Sequence, residues 1–159
     1  MASKRAAKPR GYEQYLQDKF PVTPPAGFEP GPIPERLFHY QHDMVQWACR
    51  RGRAALFADT GLGKSFCQLS WADQVVKYTG RHVLVLCPLA VAAQTIEEGR
   101  KLGVMATRIR EATDVPAEPG VVVCNYDMLH ALDTSIFAGV VLDESSCIKS
   151  FSGITKRQI

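Results

Sequence analysis

Ala58-Asp59-Thr60-Gly61-Leu62-Gly63-Lys64-Ser65 fits the phosphate-loop pattern, with Ala58 in place of its leading glycine. A loop that holds a triphosphate must aim backbone N–H groups and a cation at a dense anion, with no side chain in the way. Gly61 and Gly63 suit that task. Glycine takes positive φ and lets the backbone approach closely, and a helix opening behind the loop adds positive potential. In such a loop Lys64 reaches the β- and γ-phosphates. The Ser65 hydroxyl is placed to ligate Mg²⁺, which prefers oxygen ligands and usually keeps several waters. Asp59, Thr60 and Leu62 complete the candidate nucleotide-binding stretch.

The pattern carries this meaning only between a buried strand and a helix. Ala54-Ala55-Leu56-Phe57-Ala58 is apolar and of strand length, so a strand is expected over 54–58. From Ser65 to Tyr78 apolar residues recur at helical spacing and Gly80 follows, which predicts a helix over 65–79. Far downstream, Gly139-Val140-Val141-Leu142 delivers Asp143 and Glu144 at the C-terminal end of a second apolar strand. Open α/β sheets put their ligands there. Asp143 is suited to hold Mg²⁺ through water, and Glu144 to orient and deprotonate an attacking water. A lone Asp-Glu after a strand is also a common solvated turn or helix cap. Its pairing with the loop at Lys64 favours the catalytic reading, with Lys64, Asp143 and Glu144 as the catalytic set.

Between and around these segments the pattern continues. A helix is expected over 40–51, with Met44, Val45 and Ala48 on one face. Strands are expected over 82–87, 105–109, 121–124 and 139–142, and helices over 90–102 and, more briefly, 126–132. A turn-rich stretch holds Asp114, Pro116, Pro119 and Gly120. Apolar strands alternating with helices imply a mostly parallel α/β sheet with helices on both faces. From Pro21 to Pro34 the chain carries six prolines and two glycines, a composition suited to an extended linker or wrapping arm. A short amphipathic helix is expected around Tyr12 to Lys19.

With 159 residues and 46% hydrophobic content, the chain can bury one core. The net charge of +3 and pI near 8.6 are too mild to argue nucleic-acid binding by themselves. Lys4, Arg5, Lys8 and Arg10 form a basic cluster that either touches phosphates or is a solvated tail. No apolar run approaches the roughly 18 residues that span a bilayer, and no signal-peptide segment opens the chain. The five cysteines, at 49, 67, 87, 124 and 147, show no metal-ligand spacing and read as buried free thiols in a reducing compartment. His39, His42, His82 and His130 show no zinc-ligand arrangement either.

Taken together, these segments resemble the first RecA-like domain of superfamily 2 helicases and translocases, particularly the Snf-type branch with its chromatin remodellers and bacterial and phage relatives. The stretch 58–65 resembles motif I. Tyr40-Gln41, with Leu37 upstream, resembles the glutamine motif, in which the amide reads the adenine edge of ATP. Val85-Leu86-Cys87-Pro88-Leu89 resembles motif Ia, so Pro88 and Leu89 are candidate nucleic-acid contacts. Val122-Val123-Cys124-Asn125-Tyr126 is similar to a further strand-contacting turn, commonly Ser-Tyr there, which adds Asn125 and Tyr126. Both turns are equally readable as ordinary strand-to-helix connections. Asp143-Glu144-Ser145-Ser146-Cys147-Ile148-Lys149-Ser150 resembles motif II, with Ser145-Ser146 replacing the usual Ala-His. Lys149 either approaches nucleic acid or is solvated.

The resemblance implies a P-loop NTPase of the RecA-like kind, with ATP and Mg²⁺ as cofactors and nucleic acid, expected to be double-stranded DNA, as partner. It implies a cytoplasmic setting in a bacterial or phage-infected cell and no membrane partner. Residues 1–36 then form a basic tail and proline-rich linker, and 37–159 a partial ATP-binding domain. In the family the strand carrying motif III follows motif II and lies between the phosphate-loop strand and the acidic strand. The sequence ends at Ile159 before any such strand, so a sheet truncated at that point, a fragment of a larger translocase and poor hydrolysis alone are expected. A second RecA-like domain would supply the missing arginine fingers. A small-molecule kinase and a non-catalytic docking module that keeps the fold are the alternatives.

Overall fold

The computed structural model describes residues 24–144. The expected helix at 12–19, the basic N-terminal cluster, Cys147, Ile148 and Lys149 lie outside them. Helix α1 is His39–Arg51, α2 is Lys64–Thr79 and α3 is Ala92–Leu102. Strands β1 (His82–Leu86), β2 (Ala106–Arg108), β3 (Val121–Cys124) and β4 (Phe137–Leu142) form one sheet in the order β2-β3-β1-β4. Every ladder is parallel, so all C-terminal strand ends share one rim. None of the described helices is long and apolar enough to cross a membrane.

The interior strands β1 and β3 are buried on both faces because alternate residues of an apolar strand go to opposite sides. Val83, Val85, Val121 and Val123 pack under α2 and α3 with Leu69, Ala72 and Val75. Leu84, Leu86, Val122 and Cys124 face the other way, onto Tyr126, Leu129 and Leu132. The short helix expected at 126–132 forms as a 3-10 helix, Tyr126–Ala131, and helps cover this second face. Burial makes each valine-rich strand worth several kcal/mol, at about 25 cal/mol per Å² of apolar surface.

The strand expected over 54–58 is absent. These residues carry no ladder, and Phe57 is 95% exposed. The physical reason is the lack of a partner among the described residues: there β4 bonds only to β1, and no described strand pairs with its outer edge or with 54–58. Without a neighbour, an extended segment has neither ladder bonds nor a pleated surface on which to bury its side chains.

The proline-rich residues 24–36 wrap α1 and α2. The N–H groups of Ala26, Gly27 and Phe28 donate to the carbonyls of Arg51, Arg50 and Cys49, which a helix end leaves without internal donors. A Cβ on Gly27 would lie 1.8 Å from the Cys49 oxygen, so only glycine permits this approach. Phe28 stacks on Tyr78 at 4.3 Å, and buried Gln74 donates to the Pro32 carbonyl at 3.0 Å. Ile33, Val45, Cys49 and Cys67 close a third apolar cluster between arm, α1 and α2.

Candidate functional site

Helix α2 opens directly on the glycine loop. Gly63 is its N-cap, with φ 66° and ψ 40°, and Gly61 has φ 83°. Both lie in the left-handed region that favours glycine. A Cβ at Gly63 would also sit 2.3 Å from Gln41 Nε2, whereas one at Gly61 would meet open space. The first N–H groups of α2 therefore begin at a tight curl built on two glycines, the arrangement that lets a helix start take an anion.

Lys64 is the first residue of α2, and its ammonium donates to the carbonyls of Ala58 at 3.0 Å and Asp59 at 3.1 Å. The loop is thus closed on itself by its own lysine. Phosphate oxygens, being charged, are stronger acceptors than these carbonyls. Ser65 follows, half-buried; Asp59, Thr60 and Leu62 are exposed.

Gln41 is the third residue of α1 and is 3% exposed. Its Oε1 accepts from the Phe38 N–H at 3.0 Å, and its Nε2 donates to the Leu62 carbonyl at 3.1 Å. The Tyr40 hydroxyl donates to the same carbonyl at 3.3 Å. The amide expected to read adenine is therefore engaged in tying α1 to the loop.

Asp143 lies at the C-terminal end of β4, and the structure brings it to the loop's helix. Its Oδ1 accepts from Gln68 Nε2 at 2.9 Å, and Gln68 stands four residues after Lys64, on the same side of α2. The Asp143 N–H donates to the Leu86 carbonyl at 2.9 Å, extending the β4–β1 ladder. Its own carbonyl accepts from the Tyr126 hydroxyl. Glu144 is exposed and, among the described residues, is the one non-glycine with positive φ, at 56°. Such strain persists only where the surroundings impose it, and it tends to mark functional segments.

Buried thiols lie at the strand ends, as Cys87 and Cys124, and on α1 and α2, as Cys49 and Cys67. Burial pushes the Cys87 thiol up from its ordinary value, and the charge of Asp143 pushes it the same way. Burial raises Cys124 to about 12, with Cys87 adding to the effect. Cys49, Cys67, Cys87 and Cys124 are all free and buried, and no group of three metal-ligating side chains occurs among the described residues.

The remaining sequence candidates divide. Pro88 is half-buried and Leu89 is 62% exposed on the turn after β1. Asn125 follows β3, and its Nδ2 donates to Asp127 at 3.2 Å. Tyr126 is buried, and its hydroxyl is engaged with the acidic strand instead of facing outward. That change has a physical cause: the turn after β3 folds the ring back onto the second sheet face. Lys149 lies outside the described residues. Gln68 was not singled out by sequence; its spacing from Lys64 was visible, but not the position of β4 beside it.

The parallel sheet with a glycine loop opening a helix, and carboxylates on the same rim, is an α/β fold of the RecA-like P-loop kind. It is similar to the SWI2/SNF2 ATPase core of Sulfolobus solfataricus, solved in complex with double-stranded DNA, with a TM-score of 0.66 at 24% identity. The match covers 82% of this chain and 31% of that one, so the chain spans about a third of the length of the core it resembles. No family model matches the sequence, and no curated protein matches it.

Proposed function

We propose that this chain is the ATP-binding portion of a helicase or translocase that works on nucleic acid, with duplex DNA as its track. The observation that carries the reading is the Gln68 bond to Asp143, which brings the acidic strand to the same side of α2 as Lys64. A glycine loop alone binds anions; a loop whose helix is bonded to a carboxylate at a strand end is suited to a metal-bound triphosphate. The likeness to a core solved on double-stranded DNA supports duplex DNA as partner.

In this reading the amides of the loop and of the start of α2 cradle the phosphates. Lys64 leaves the Ala58 and Asp59 carbonyls for the β- and γ-phosphates, and Glu144 orients the attacking water and takes its proton. The donor set fits Mg²⁺: Ser65 offers a hydroxyl and Asp143 a carboxylate, both hard oxygens, and Mg²⁺ is ordinarily held by one or two carboxylates with phosphate oxygens and water. Bound there, Mg²⁺ supplies neutralisation of the charge on the transferred phosphoryl group. Gln41 shapes the loop through Leu62, so an adenine contact requires its amide to exchange partners. Pro88, Leu89 and Asn125 lie on the rim offered to the nucleic-acid backbone, with Tyr126 beneath them and Lys149 as a further candidate.

Hydrolysis is completed by a second RecA-like domain that brings arginine to the transition state, a contribution of about 10³–10⁵ in related phosphoryl transfers. The chain alone then binds nucleotide and turns it over slowly. The test is ATP-analogue binding by the unsubstituted chain and by Lys64→Ala, followed by ATPase assays with and without duplex DNA. Binding abolished by Lys64→Ala, with slow hydrolysis, supports the reading. Equal affinity in both forms points to a docking module, and rapid phosphoryl transfer to a small acceptor points to a kinase.

A further inference from the structure

We propose that Gln68 is a positioning residue that fixes the Asp143 carboxylate for the metal ion. The inference rests on the nucleotide-site reading above. Three bonds converge on Asp143. Its N–H is anchored to Leu86, its carbonyl receives the Tyr126 hydroxyl, and its Oδ1 receives Gln68 Nε2 at 2.9 Å. The first two pin the backbone at the end of β4, leaving side-chain rotation as the remaining freedom. Gln68 removes it. The amide comes from a rigid helix, 75 residues away in sequence, so the bond also fixes the acidic strand against the helix that carries Lys64 and Ser65. Among the described residues Gln68 is the donor that holds Oδ1, so Oδ2 is the oxygen that would serve a metal-bound water.

A carboxylate held in one rotamer has less conformational freedom to lose when it engages the ion, and preorganisation of that kind raises affinity. The effect of Gln68 should therefore appear only when metal is present. The experiment measures binding of a non-hydrolysable ATP analogue to the whole chain, in Mg²⁺ and in EDTA. Gln68→Met keeps the size of the side chain and removes the donor; Gln68→Leu does the same should the first variant fail to fold. The expected result is affinity in EDTA within about twofold of the unsubstituted chain, and a Mg²⁺-dependent gain reduced roughly tenfold, the size of one hydrogen bond to a charged group. In an Asp143→Asn background, Gln68→Met should add nothing, because a residue that acts through another is not additive with it.

An unchanged Mg²⁺-dependent gain overturns the proposal. So does an equal loss with and without metal, or a loss that adds to that of Asp143→Asn. Failure of the unsubstituted chain to bind nucleotide overturns the site reading and this inference with it. Metal-assisted binding that Lys64→Ala abolishes and Gln68→Met leaves intact overturns the inference alone.

Discussion

Strand β1 and the segment 54–58 are both short apolar runs leading into the ligand rim, yet one is an interior strand of the sheet and the other has no ladder at all. β1 lies between β3 and β4, and all its residues are buried. Phe57 is 95% exposed. Apolar character nominates a strand, but neighbours make it, since a lone extended segment leaves its N–H and C=O groups to water and has no pleat to pack against. The glycine loop is consequently shaped from beside. Leu56 packs into the α1–α2 cluster, Gln41 and Tyr40 hold the Leu62 carbonyl, and Lys64 holds those of Ala58 and Asp59.

The contrast has measurable consequences, the largest in the sheet. Leu84→Ala should cost about 2–5 kcal/mol in urea unfolding, as for other large-to-small changes in a packed core. Phe57→Ala should fall within about 0.5 kcal/mol of the unsubstituted protein, as surface changes do. A comparable loss at Phe57 would mean that 54–58 is packed in solution, and the contrast would collapse.

Within the loop a smaller difference is expected. Gly63→Ala combines left-handed strain with a collision against Gln41, and should cost about 1–3 kcal/mol and weaken nucleotide binding. Gly61→Ala meets open space, so it should carry only the backbone term of about 1–2 kcal/mol. Thermal melts of the two variants, with and without nucleotide, decide the point. Equal effects would show that Gln41 does not brace the loop.

The subtlest effect is on pH. Burial raises Cys49 and Cys67 from 9.0 to about 11 and Cys124 to about 12. Above pH 9 the unfolded chain releases these thiol protons while the folded chain keeps them, so the unfolded state binds fewer protons and stability falls as pH rises. Stability from this source should be intact below about pH 9 and decline between there and about pH 12. Urea titrations across that range check it, and Cys→Ser variants at the three positions should flatten the slope.

Much of this was legible in the sequence because its causes are local. Gly80 and the helical periodicity fixed the extent of α2 to within a residue, and the valine runs marked β1, β3 and β4. The glycine turn that opens α2 and the place of Asp143 just after β4 were likewise readable from residue type and spacing. What escaped depends on partners distant in sequence. The state of 54–58 hinges on what lies beside it, the engagement of Gln41 on where Leu62 falls, and the role of Gln68 on β4 arriving next to α2. Tyr126 illustrates the same point: its motif suggested an outward contact, and packing of the second sheet face turned it inward.

The central claim, that the loop at 58–65 and the end of β4 are one nucleotide site, is tested most directly by hydrogen exchange of the intact chain with and without a Mg²⁺–ATP analogue. Backbone amides over 59–66 and over 141–144 should slow together on addition of nucleotide, while those of β2 at the far edge stay unchanged. Protection of neither segment, or of the loop without the end of β4, would contradict it.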